Sequence, residues 1–127
     1  MHFAYTILYV ESPAATLDFY VNAFGFKRKF IHEGGDYGEL DTGNTVLAFS
    51  ARTLMRELGK NPSNADAHAP SFEIAFCTSN VAESMACALA AGAQLIAEPK
   101  RMPWGQTVGY VSDINGFLIE ICTPMGA

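Results

Sequence analysis

Apolar and polar positions along the chain alternate with two different periods, and the order in which those periods appear occurs twice. "FAYTILYV" (3–10) is rich in β-branched and aromatic residues and predicts a strand. "ESP" breaks it, with Ser12 placed as a helix N-cap and Pro13 at the first helical position. In the following stretch Leu17, Tyr20, Val21 and Phe24 fall on one helical face, and Gly25 is the expected C-terminal stop. "FKRKFIHE", "DYGELDT" and "TVLAFSA" then predict three strands, joined by turns at Gly34-Gly35 and Gly43-Asn44. Residues 51–70 lose the pattern: a short helix around 54–58 ends at Gly59 and leads into a polar loop.

The same order then restarts. "SFEIAFCT" predicts a strand, and Asn80 with Glu83 three residues on resembles a capping box. "VAESMACALAAG" predicts a helix ending at Gly92. "AQLIAEPKRM" predicts a strand broken by Pro99. "QTVGYVSD" and "FLIEICT" predict two more strands, joined by a hairpin turn at Asn115-Gly116. The element order is βαβββ followed by βαβββ: one module over 3–50, a connecting segment over 51–70, and a second module over 71–123. With a single helix per half, a doubly wound parallel sheet is excluded. The expected class is α+β, two small mixed sheets, each with a helix on its outer face and with inner faces forming a concave cradle within one domain.

Superposing the halves sets Tyr5 against Glu73 and Ala48 against Glu120. The two acids are out of character. Each interrupts an apolar strand, and alternation puts Glu73 on a face with Ala75 and Cys77, and Glu120 with Leu118 and Cys122. These surroundings read as sheltered, so each carboxylate needs a partner or a raised pKa. Three roles stay open: ligands to a divalent ion, an acid or base that moves a proton, or carboxylates hydrogen-bonded inside a metal-free pocket. Trp104, the only tryptophan, can stack on a planar ligand, and Gln106 can hydrogen-bond one. Phe49, Tyr37 and Tyr110 are candidate pocket walls. Arg52 and Arg56 lie on the irregular segment, either meeting an anionic ligand or on a solvated helix face.

Composition narrows the partners. The chain has 127 residues, half of them apolar, enough for a real core. A net charge of −5 argues against a phosphate-tracking nucleic-acid surface. No apolar stretch is long enough to span a bilayer, and "MHFAYTILYV" reads as a first strand rather than a signal peptide. Cys77, Cys87 and Cys122 show no CxxC spacing and sit in apolar surroundings. They read as reduced, buried thiols of a cytoplasmic protein.

"DFYVNAFGF" (18–26), "ALAAGAQL" (88–95) and "WGQTVGYVSDINGFLIEI" (104–121) together resemble the vicinal oxygen chelate superfamily of glyoxalases, bleomycin-resistance proteins and extradiol dioxygenases. The resemblance covers essentially the whole chain. It implies a homodimer and a small-molecule ligand. It also implies four inward-facing metal-ligand positions, matched here by Tyr5, Ala48, Glu73 and Glu120. Ala48 has no donor atom, and His2, His32 and His68 match none of the four. That departure argues against a dioxygenase, whose iron site wants two histidines and a carboxylate. The expected function is a metal-free binder of a planar or cationic compound, of the bleomycin-resistance type. Its ligand-binding residues would be Tyr5, Phe49, Glu73, Trp104, Gln106, Tyr110 and Glu120. The alternatives are a glyoxalase-type lyase or isomerase that holds a weakly bound divalent metal on Glu73, Glu120 and Tyr5, and a metal-free enzyme with a glutamate base.

Overall fold

In the computed structural model, which describes residues 1–126, Ser12 ends one element and starts the next. Its hydroxyl accepts from the Ala15 N–H at 3.2 Å, satisfying one of the free donors at the start of helix α1 (Pro13–Phe24). Gly25, at φ 75°, closes that helix with its N–H on the Val21 carbonyl. The second helix of this kind, α3 (Val81–Ala90), carries the expected cap: the Glu83 N–H donates to Asn80 Oδ1 at 3.1 Å, and Asn80 Nδ2 donates to Glu83 Oε2 at 3.2 Å.

The chain divides into two compact units, Met1–Asn64 and a second beginning at Ala65. The first holds β1 (Tyr5–Val10), α1, β2 (Lys27–Ile31), β3 (Tyr37–Asp41), β4 (Val46–Ala51) and a short helix α2 (Arg52–Glu57). The second holds β5 (Glu73–Cys77), α3, β6 (Gln94–Arg101), β7 (Thr107–Ser112) and β8 (Leu118–Cys122). Each forms a four-stranded mixed sheet, ordered β1-β4-β3-β2 in one and β5-β8-β7-β6 in the other. In both, the first and last strands run parallel, because a helix crosses between the first strand and the rest. The α+β architecture, with one crossover helix per sheet, is therefore the expected one, the first unit adding the short α2.

The two registers superpose. Ile7 lies beside Ala48 as Ala75 lies beside Glu120, so Tyr5 corresponds to Glu73 two residues earlier on the strand. One face of each sheet takes the helix. In the first unit that face carries Leu8, Val10, Leu40, Leu47 and Phe49; in the second it carries Val111, Ile119 and Ile121, all buried. Both sheets also place a glycine where the helix presses. A Cβ on Gly38 would come within 2.7 Å of Leu17 Cδ1, and one on Gly109 within 2.2 Å of Met85 Sδ. These glycines serve close approach, not a special backbone angle.

Two expectations need correction. Pro99 does not break its strand: β6 runs through it to Arg101. The ladder to β7 slips between Ala97 and Lys100, and β6 is an edge strand, so the missing N–H is tolerated. The cysteines are not all buried. Cys122 is, but Cys77 is exposed on edge strand β5, and Cys87 is exposed on α3 away from its buried residues Val81, Met85 and Ala88.

Candidate functional site

The face of each sheet that carries no helix holds the residues with chemistry. In the second unit these are Glu73, Ala75 and Cys77 on β5, Leu118, Glu120 and Cys122 on β8, and Tyr110 on β7, directly opposite Glu120. The Tyr110 hydroxyl donates to Glu120 Oε1 at 2.9 Å. Glu73 lies on the same face of the sheet, and the charges of both carboxylates act on this phenol. Glu73 is exposed rather than sheltered, because β5 is an edge strand. Its pKa is nevertheless raised, first by partial burial of the carboxylate and then by the charge of Glu120, while the Tyr110 hydroxyl pulls it back down. Partial burial and then the two acids push Tyr110 up to about 12. Burial, followed by the Cys77 thiol and Glu120, pushes the Cys122 thiol up to about 12 as well. Among the described residues neither Glu73 nor Glu120 makes an ion pair.

In the first unit the corresponding face is balanced. Tyr37 donates to Glu39 Oε2 at 2.7 Å, and Lys29 Nζ lies 3.5 Å from Glu39 Oε1. Phe30 packs against Tyr37, with ring centroids 6.0 Å apart. Burial, then the hydrogen bond and charge of Glu39, hold the Tyr37 hydroxyl well above the usual phenol range. Glu39 sits opposite Ala48 just as Tyr110 sits opposite Glu120, so the carboxylate has moved from β3 in the first half to β8 in the second, while the phenol stays on β3 and its equivalent, β7. The sequence reading missed Glu39. A carboxylate in "YGELD" alternates normally, and only the strand pairing reveals it as the counterpart of Tyr110.

The remaining candidates fall apart by location. Tyr5 is on the open face of β1 and 48% exposed. Phe49 is a correction: it is fully buried and stacks on Tyr20 of α1, with centroids 5.2 Å apart. Alternation forces this, since the neighbouring Ala48 takes the open face. Trp104 lies in the β6–β7 turn, 63% exposed, where its indole N–H donates to Gln106 Oε1 at 2.7 Å. Gln106 in turn donates to the Thr123 carbonyl at 2.8 Å, fixing the turn to the end of β8. Arg52 reaches the Tyr9 carbonyl at 3.4 Å, Arg56 is exposed, and so are all three histidines.

The four positions that the resemblance marks as metal ligands hold two carboxylates, a phenol and a methyl group. Ala48 offers only a methyl group, the Tyr5 position offers a phenol, and Glu120 is engaged by Tyr110. Among the described residues no three His, Cys, Asp or Glu side chains gather closely enough to hold an ion.

Two βαβββ units, each with one sheet face under a helix and the other left for polar chemistry, define a class of fold rather than a reaction. The chain belongs to the Glyoxalase/Bleomycin resistance protein/Dioxygenase superfamily, whose family model matches residues 2–121. A glyoxalase-related enzyme from Fulvimarina pelagi is similar over 100% of this chain and 94% of its own, at 25% identity and a TM-score of 0.82. A glyoxalase/bleomycin resistance protein/dioxygenase family enzyme from Burkholderia phytofirmans PsJN is 23% identical, with 94% and 96% of the two chains covered and a TM-score of 0.77. The hypothetical protein SA1046 from S. aureus is 16% identical, with 98% and 94% covered and a TM-score of 0.81. No match to a curated protein was found. No helix among the described residues is long and apolar enough to cross a membrane.

Proposed function

We propose that this chain is a metal-free small-molecule-binding protein of the bleomycin-resistance type, taking a cationic compound with a planar aromatic part. The observation that carries this reading is the Glu73–Tyr110–Glu120 cluster: Tyr110 donates to Glu120, the charge of Glu120 raises the Glu73 pKa, and among the described residues neither acid makes an ion pair. A bound cation would relieve their repulsion and favour the charged form of Glu73. The exposed Trp104 ring would add a face for the planar part, its N–H being already satisfied by Gln106. The metal-dependent lyase or isomerase reading has no comparable support, because Ala48 brings no donor. A second copy of the chain belongs to the same reading. Strands β1 and β5 are each paired on one side only, and β1 exposes Ile7 (40%) beside Tyr5.

Calorimetric titration with N-methylquinolinium, a planar cation, and with quinoline, its near-isosteric neutral counterpart, tests this at neutral pH. The cation is expected to bind more tightly than quinoline. Glu120→Gln is expected to weaken it about 5-fold, the equivalent of ~1 kcal/mol for one partly exposed charge pair. Equal binding of the two probes, with no effect of Glu120→Gln, would overturn the reading. Light scattering of the same samples reads the dimer directly.

A further inference from the structure

Cys77 and Cys122 stand side by side. They are paired in register on the parallel strands β5 and β8, and their sulfurs are 3.8 Å apart. Adjacent strands lie roughly 4.7–4.9 Å apart. That spacing falls inside the Cα separation of about 4.4–6.8 Å which a disulfide tolerates. The two thiols are unequal. Cys77 is open to solvent, whereas Cys122 is 3% exposed. Cys87 lies apart, on α3.

We infer that Cys77 and Cys122 are a disulfide-forming pair, an oxidative modification site in which Cys77 meets the oxidant and Cys122 resolves the product. The oxidant is a low-molecular-weight disulfide, RS–SR. The Cys77 thiolate attacks one of its sulfurs. A bond forms between Cys77 Sγ and that sulfur, the S–S bond of RS–SR breaks, and RS⁻ leaves. Cys122 then gives up its proton and attacks Cys77 Sγ. The Cys77–Cys122 bond forms as the second RS⁻ departs. Two protein thiols are oxidised, one disulfide is reduced to two thiols, and the two protons end on the two leaving groups. The order follows from access, since only Cys77 can be approached from solvent. The bond would fasten edge strand β5 to β8, its sole partner in the sheet.

The test uses the full-length Cys87→Ser protein, incubated with oxidised glutathione at mildly alkaline pH and read by intact mass without reductant. The expected product is a monomeric chain that has lost two hydrogens. It should yield a crosslinked peptide pair containing Cys77 and Cys122, and dithiothreitol should reverse it. The added Cys77→Ser change, at an exposed position that leaves the core untouched, should abolish the product and leave Cys122 unreacted. Stable glutathione adducts on Cys77 without loss of two hydrogens would overturn the inference. So would two thiols that still titrate after unfolding. The readout is independent of ligand binding, so it stands or falls separately from the proposed function.

Discussion

Replacing Tyr110 by Phe removes one oxygen atom, and the structure says where the loss will be felt. That hydroxyl is the 2.9 Å donor to Glu120 and the group that holds the Glu73 pKa down against burial and repulsion. A hydrogen bond to a charged group contributes about 1.5–3 kcal/mol when buried. This cluster is partly open, so water recovers some of it and ~1 kcal/mol is the expected cost near neutral pH. For a domain of this size that corresponds to a fall of roughly 4 °C in melting temperature. The cost should depend on pH, and its sign follows from linkage. Glu73 has a folded-state pKa above its unfolded value. Its favourable contribution is therefore complete below the unfolded value and is lost as pH rises through the raised folded value. Without the hydroxyl the folded value rises further, so the variant falls further behind wild type as Glu73 ionises. The gap should be smallest near or below about pH 4, where the carboxyl is protonated in both states. Urea unfolding followed by circular dichroism across that range measures the gap, and carboxyl-carbon NMR of Glu73 reports the pKa itself. Equal stability of Tyr110→Phe and wild type at neutral pH, or a gap that does not change with pH, would refute the reasoning.

Gly109→Ala puts a methyl group 2.2 Å from Met85 Sδ and should destabilise by about 1–3 kcal/mol in chemical denaturation. Adding Met85→Ala should recover part of that, and independent, additive losses would count against the packing account. Asp113, 4% exposed, accepts from the N–H groups of Asn115 at 2.8 Å and Phe117 at 2.9 Å in the β7–β8 turn. Asp113→Ala should therefore cost about 2–3 kcal/mol by thermal unfolding. Chelator-stripped protein should show no rise in melting temperature with millimolar Mg²⁺, Mn²⁺, Ni²⁺ or Zn²⁺. An ion that stabilises wild type but neither Glu73→Ala nor Glu120→Ala would establish a metal site on the two carboxylates.

Much of the scaffold was legible because its signals are local. Ser12 and Asn80 cap helices through their own side chains, Gly25 ends one at positive φ, and strand alternation groups Glu73 with Ala75 and Cys77, and Glu120 with Leu118 and Cys122, without reference to any contact. What was illegible depends on which strand lies at an edge and on what crosses between strands. Pro99 reads as a breaker until β6 is known to be an edge with a slipped ladder. Cys77 reads as buried until β5 is known to be an edge too. Glu39 gains meaning only from its place opposite Ala48, and Tyr110 only from its place opposite Glu120. Phe49 was misplaced for a different reason. Its aromatic character suggested a pocket wall, although the alternation that sends Ala48 to the open face already sends Phe49 to the helix.

The paired glycines, Gly38 under Leu17 and Gly109 under Met85, have a bearing on how such a protein changes over time. The seat of each helix is a matter of shape on one side of the sheet, and it survives whether the intruding side chain is Leu or Met. The other side takes no part in that fit. It has gone its own way in the two halves, charge-balanced by Lys29 in one and left doubly acidic in the other. A scaffold divided in this way lets one face be rewritten residue by residue while the fold is inherited intact.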